Sequence, residues 1–255
     1  MRVPVAADGI AWVTGASSGI GREIAAQLAQ AGWMVAISAR RRDELESLAA
    51  IYPGKMIVAP LDITDAAAVN TCLAMIEAQS GRRLVRAILN AGIYVRDTAP
   101  KFDAAVFKAQ VDVNLVGTAN CVAALLPGMI AARHGQIGVV TSLAGLAGLP
   151  GAVSYGTTKA GLLAMCQSLK FDLDRAGVGI SAILPGFVKT PLTEKNKFPM
   201  PLLMEAEAAA RAILTGLNAS KFIIAFPGGL SWPLRLLRTL PAPVYFALVS
   251  RFSKW

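Results

Sequence analysis

Tyr155 and Lys159 stand four positions apart in the stretch SYGTTKAG, residues 154–161, whose other members are small. In a helix of about 3.6 residues per turn, that spacing puts both side chains on one face. An ammonium beside a phenol stabilises the phenolate, so the pair predicts a tyrosine that loses its proton below the ordinary value of about 10. Such a group serves as a general acid or, once ionised, as a base. A surface helix that shows one tyrosine and one lysine to solvent would have the same spacing, and these two residues alone do not separate the readings.

A second motif bears on the choice. TGASSGIG, residues 14–21, follows an apolar run and opens a helical one, the setting in which backbone N–H groups at a helix N-terminus hold a pyrophosphate. Gly15, Gly19 and Gly21 give the spacing GxxxGxG rather than GxGxxG, with Ser17, Ser18 and Ile20 between them. The next strand ends in SARRR, residues 38–42, with no acid to hold a ribose 2′-hydroxyl. Arg40, with Arg41 beside it, is placed to meet a 2′-phosphate by charge-assisted hydrogen bonds, which predicts NADP rather than NAD. The alternative is a solvated helix start decorated by three arginines.

Taken with these, Asp62 in PLDIT, NAG at 90–92, Asn114 in VDVNLVG, Ser142 in VVTSLAG, YGTTK at 155–159 and PGFVKT at 185–190 give the chain a close resemblance to the short-chain dehydrogenase/reductase family from Ile10 to about Thr190. The resemblance implies an oxidoreductase that interconverts a carbonyl and an alcohol with NADP(H). By it, Tyr155 is the proton donor, Ser142 hydrogen-bonds the same substrate oxygen, Lys159 tunes Tyr155 and binds the nicotinamide ribose, and Asn114 holds a relay water. It further implies that Asp62 meets the adenine and that Asn90 and Gly92 lie along the adenosine ribose. Thr190 and Val188, next to Pro185 and Gly186, would hold the carboxamide. One departure stands out: Leu89 occupies the place of the first of two asparagines usual before AG. A cofactor-sensing or scaffold protein without turnover is the alternative, and the complete Asn114, Ser142, Tyr155 and Lys159 set argues for the enzyme.

The elements that must position these residues alternate along the chain. Apolar runs at IAWV, MVAIS, KMIVAPLD, VRAILN, QIGVVTS, GISAILP and KFIIAFP are each separated by helical segments. They predict an α/β chain with one Rossmann-like, doubly wound parallel sheet and helices on both faces. Asp65 is a predicted helix start, and Gly32, Gly135 and Gly177 are predicted stops. Residues 1–228 form the expected domain, with 187–207 as a substrate flap and 229–255 as a C-terminal extension.

Composition bounds the rest. The chain has 255 residues, 55% hydrophobic, and a formal net charge of +9. That sign favours anionic partners such as cofactor phosphates or acidic headgroups. No basic stripe interleaved with exposed aromatics points to nucleic acid. Cys72, Cys121 and Cys166 lack paired spacing and are expected to be buried thiols, with no metal site. His134, the single histidine, is expected at a helix end, where a cation suits the carbonyls. The start of the chain has no signal-like run, which predicts a cytoplasmic protein. The apolar window 114–132 is interrupted by Asn114, Asn120 and Pro127 and is expected to be a buried helix.

Two segments remain. In the flap, Phe198, Met200, Leu202, Leu203 and Met204 would either line a pocket for an apolar or lipid-like substrate or pack beneath a surface loop. In the extension, Leu234, Arg235, Leu237, Arg238 and Leu240 form one predicted helix. Beyond Pro241 and Pro243, a second holds Tyr245, Phe246, Leu248, Val249, Arg251, Phe252 and Lys254. Both are too short to span a bilayer. They would lie on an acidic membrane surface, peripheral at its inner face, or pack on a neighbouring subunit or on their own domain. The resemblance also implies a homodimer or homotetramer, paired through the helices that carry Asn114 and Tyr155.

Overall fold

The computed structural model describes residues 2–196 and 198–252, except for the side chain of Phe252. Lys254 and that side chain, assigned above to the second extension helix, lie outside the described residues.

The strands are β1 (Ile10–Thr14), β2 (Val35–Ser38), β3 (Met56–Val58), β4 (Leu84–Leu89), β5 (Gly135–Val140), β6 (Val178–Pro185), the short β7 (Val188–Lys189) and β8 (Met204–Glu205), and β9 (Ile223–Phe226). All but β7 and β8 form a parallel sheet in the order β3-β2-β1-β4-β5-β6-β9. The order reverses between β1 and β4, so a crevice opens past their C-terminal ends, where the glycine loop and the NAG segment emerge. β7 and β8 make a separate two-stranded pair that the sequence did not announce.

Helices α1 (Gly19–Gln30), α2 (Arg42–Ile51) and α7 (Ala206–Asn218) cover one face of the sheet. The other is covered by α3 (Ala66–Ser80), α5 (Gly117–Ala132) and α6 (Val153–Ala176). Because strand side chains alternate, Ile10 and Trp12 enter one core while Ala11 and Val13 enter the other. Burial on both faces explains why the strands read as continuous apolar runs. Each large apolar side chain so buried contributes about 1.5–3 kcal/mol.

Local signals set most boundaries. The Asp65 carboxylate accepts from the Ala68 N–H at 2.9 Å and starts α3, and Gly177 ends α6 at φ 76°. The expected stop at Gly135 is corrected: α5 ends at Arg133, itself left-handed at φ 49°, and Gly135 opens β5. A Cβ on Gly135 would lie 2.6 Å from Met129, so the residue is small for packing. His134 does not cap the helix; its Nε2 lies 3.4 Å from the Asp8 carboxylate.

Helix α4 (Ala104–Gln110) runs through a π-helical turn at Val111–Val116 directly into α5. This 104–132 helix is long and apolar enough to cross a membrane by length and composition, yet it buries Cys121, Val122, Leu125 and Met129 in the core. Pro127 sits on its exposed side without ending it. All three cysteines are buried free thiols.

The extension forms α8 (Gly228–Leu237) and α9 (Ala242–Phe252). The first lies against β9, and Leu234 packs onto the core. The second is anchored by Tyr245, which is buried and donates its hydroxyl proton to the Gly148 carbonyl. Self-packing therefore accounts for the inner face of the extension, and Tyr245 is removed from any surface role.

Candidate active site

The first turn of α6 is fixed before Tyr155 is reached. The buried Asp97 carboxylate accepts from the Ser154 N–H at 2.8 Å and from the Ser154 hydroxyl, placing negative charge at the helix N-terminus. Tyr155 follows, and Lys159 one turn later puts its ammonium 5.5 Å from the centre of the Tyr155 ring. Ser142 arrives from the other side, just past β5. Its Oγ accepts from the Ala144 N–H at 3.1 Å, and its hydroxyl is near enough to the Tyr155 phenol to favour the phenolate. The turn after Ser142 lies flat on α6 because Gly145 has no side chain: a Cβ there would fall 2.7 Å from the Lys159 carbonyl.

Electrostatics differ from the expectation set by spacing. Burial pushes the Tyr155 phenol up to about 12, the Ser142 hydroxyl pulls it down, and the neighbouring Tyr94 raises it further. Burial draws Lys159 down to about 8, and its ammonium donates to the Val140 carbonyl at 2.8 Å. The predicted depression of Tyr155 by Lys159 is thus corrected for the protein alone: removing the phenolate from water outweighs a cation that stands beside the ring rather than at the hydroxyl. At neutral pH the phenol holds its proton and the lysine is charged.

Asn114 is a brace. Its Nδ2 donates to the Ile93 carbonyl at 2.9 Å and to the Thr158 hydroxyl at 3.1 Å, while its Oδ1 accepts from the Ile93 N–H at 2.7 Å. Both side-chain N–H groups are committed, and the strand exit carrying Asn90 and Gly92 is held still. A Cβ on Gly92 would lie 3.1 Å from Asn114 Oδ1 and 3.6 Å from Lys159 Nζ, so both polar atoms face one point.

Ser142, Tyr155, Lys159, Pro185, Gly186 and Val188 line a chamber of about 100 Å³. Ile20, Asn90, Gly92 and Thr190 line both this chamber and a cleft of about 470 Å³, whose walls also include Gly15, Ser17, Ser18, Gly19, Arg40, Arg41 and Asp62. The structure brings every predicted residue to this crevice except two. Gly21 lies beneath it, where a Cβ would fall 2.4 Å from the Gly15 carbonyl, and Asn114 lies behind Gly92.

The cleft suits a dinucleotide. Gly15 and Gly19 adopt φ of 68° and 54°, which L side chains rarely do, and a Cβ on Gly19 would meet Thr190 at 2.8 Å. Ser18 precedes α1 without capping it through its side chain, leaving first-turn N–H groups for an anion. The loop is braced by Asn90, whose Nδ2 donates to the Thr14 and Gly15 carbonyls at 3.2 Å each. At the far end Arg40 is exposed, while Arg41 donates to Ser17 Oγ at 3.2 Å and pairs with Glu44 at 3.6 Å. Hydrogen bonds from the Thr64 N–H and hydroxyl, with Arg40 nearby, hold the Asp62 carboxyl below its ordinary value.

Several positioning residues escaped the sequence reading. The Thr14 hydroxyl accepts from the Asn90 and Ala91 N–H groups at 3.0 and 3.1 Å. Thr158 links Asn114 to the Tyr155 carbonyl. Tyr94 meets Tyr155 edge-on at 5.1 Å. Asp97 and Gly145 could have been flagged only by their closeness to Tyr155 and Ser142. The five flap residues have different surroundings. Leu202 and Leu203 are 54% and 44% exposed, Met204 enters β8 against the core, Met200 contacts Asn196, and Phe198 meets Phe187 at 6.0 Å.

Residues 9–199 match the sequence model of the short chain dehydrogenases. An uncharacterized oxidoreductase of Myxococcus xanthus is 36% identical over 94% of this chain and 96% of its own. A 3-oxoacyl-[acyl-carrier-protein] reductase FabG of Thermotoga maritima is 31% identical over 79% of this chain and 87% of its own. Among solved structures, a short-chain dehydrogenase from Streptomyces avermitilis superposes with a TM-score of 0.83 at 26% identity, covering 97% of this chain and all of the other.

Proposed function

The chain belongs to the short-chain dehydrogenase family, whose members bind a nicotinamide cofactor and interconvert alcohols and carbonyls, and from that premise we propose that it is an NADP(H)-dependent carbonyl reductase or alcohol dehydrogenase with Tyr155 as its acid/base. The observation that carries this reading is the convergence of Ser142, Tyr155 and Lys159 on one small chamber that opens into a glycine-walled cleft.

The dinucleotide, when bound, supplies or accepts the hydride. The chain's own residues manage the oxygen. Tyr155 keeps its proton at neutral pH, so it is in the donor form for reduction and passes that proton to the substrate oxygen. Ser142 donates to the same oxygen. Negative charge grows there in the transition state, and each donor aimed at it is worth about 2.7–4 kcal/mol. The charged Lys159 favours the phenolate that Tyr155 becomes, an effect that grows as the cleft excludes water.

NADP is preferred in this proposal because Arg40 lines the cleft and no acid stands at the end of β2. An apolar substrate is favoured by the chamber's surroundings, where Leu143 and Leu230 meet over Gly186 and Tyr94 flanks Tyr155. A homodimer or homotetramer is part of the same reading, since Val116, Val153 and Phe171 on the Asn114 and Tyr155 helices are 44%, 42% and 73% exposed. A carbonyl and alcohol screen with both nicotinamide cofactors, run beside Tyr155→Phe, tests it. Turnover with NADPH that disappears in the variant supports the enzyme; cofactor binding without turnover on any carbonyl supports the sensor.

A further inference from the structure

The outer face of α8 is apolar where solvent meets it. Trp232 and Leu236, one turn apart, are 70% and 68% exposed, and the adjoining Pro233 is exposed as well. On α9, Phe246 is 64% and Val244 46% exposed. Solvent-facing Trp, Leu and Phe on two consecutive short helices oppose the usual pattern, in which the polar face points outward.

Charge accompanies this face. Residues 208–255 contain six Lys or Arg and no Asp or Glu. Arg235 lies over the Trp232 ring at 5.6 Å, and both line a groove of about 570 Å³ together with Lys221 and Arg211. Arg211 is paired with Glu207, the last acid of the chain. The groove and the exposed Trp232 beside it thus join positive charge to apolar surface on α8.

A second copy of the chain is a poor occupant. In a two-fold contact this face would meet itself, and residues 208–255 bring no acid to pair with Arg235 or Arg238. An anionic bilayer offers both complements, acyl chains for the rings and phosphates for the cations. We propose that α8 and α9 form a peripheral docking surface for an anionic membrane. Trp232 and Leu236 enter the headgroup–acyl boundary, and Lys221, Arg235 and Arg238 meet headgroup phosphates. Tyr245 ties the same extension to Gly148, in the loop between Ser142 and Tyr155.

The test is flotation of the full chain with phosphatidylcholine vesicles, with and without about one-third phosphatidylglycerol, at low and high salt. The expected result is binding to the anionic vesicles only, reduced by salt. Trp232→Ser with Leu236→Ser should lower the partition coefficient at least about ten-fold while leaving the thermal melt in place. Arg235→Glu with Arg238→Glu should lower it as well. Absence of binding, equal binding to neutral vesicles, or undiminished binding by both variants overturns the proposal. So does a shift of the full chain from oligomer to monomer on the Trp232 and Leu236 substitutions without vesicle binding, which would assign the face to a second copy. Turnover is not read in this assay, so its outcome stands apart from the proposed activity.

Discussion

The Lys159 ammonium hydrogen-bonds the Val140 carbonyl at 2.8 Å while standing 5.5 Å from the centre of the Tyr155 ring. The cation is therefore anchored to the end of β5, the strand that leads into Ser142, and its distance to the phenol is set by the sheet. A lysine held this way is buried, and burial draws it from 10.5 to about 8.

That shift makes stability depend on pH. The folded chain releases the Lys159 proton near pH 8 and the unfolded chain near its ordinary value, so between them the unfolded state binds more protons and stability rises with pH. Urea unfolding at pH 7 and at pH 10 should show wild type gaining on Lys159→Met, by at most about 3 kcal/mol. The buried thiols, raised by burial, act oppositely above pH 9 but are common to both proteins. A difference that stays flat across this range would show that Lys159 is solvated.

Arg40→Asp should reverse cofactor choice. Losing a charge-assisted bond to a 2′-phosphate and gaining a repulsive carboxylate is expected to lower kcat/KM with NADPH relative to NADH at least about ten-fold. Steady-state kinetics with both cofactors reads this ratio. An unchanged ratio would move phosphate recognition to Arg41, which already donates to Ser17.

Gly145→Ala places a Cβ 2.7 Å from the Lys159 carbonyl, so the Ser142 turn must lift from α6. Overpacking of this kind costs about 1–3 kcal/mol. Activity should fall further than global stability explains, because Ser142 and Tyr155 move apart. Thermal melts beside kcat at a temperature where the variant stays folded make the comparison.

Tyr245→Phe removes the hydroxyl bonded to the Gly148 carbonyl. The expected cost is about 0.5–1.5 kcal/mol of stability. Amide exchange should quicken in residues 146–152 and α9, with β1 and β4 unaffected. Uniform quickening everywhere would mean that the contact serves the whole fold and not this loop.

Much of this was legible where the cause is local. The strand runs, the glycine loop, the Asp65 cap and the Gly177 stop each follow from residues that carry their own conformational reason. Arg133 in place of Gly135 was not, because a left-handed arginine is selected by the chain's return into β5, not by its own preference. The spacing of Tyr155 and Lys159 gave their shared face but not their protonation, which depends on burial by segments as distant as Tyr94 and Pro185. Tyr245 read as a membrane-facing ring because nothing near it in sequence names Gly148 as its partner.

The most direct test concerns the Tyr155 hydroxyl. Tyr155→Phe keeps the ring, its contact with Tyr94 and the volume of the chamber, and removes only the proton donor. On a carbonyl that the wild type reduces with NADPH, kcat should fall by about 10²–10⁴ while the cofactor Kd changes less than about three-fold. Full turnover in that variant contradicts the assignment of Tyr155 as proton donor.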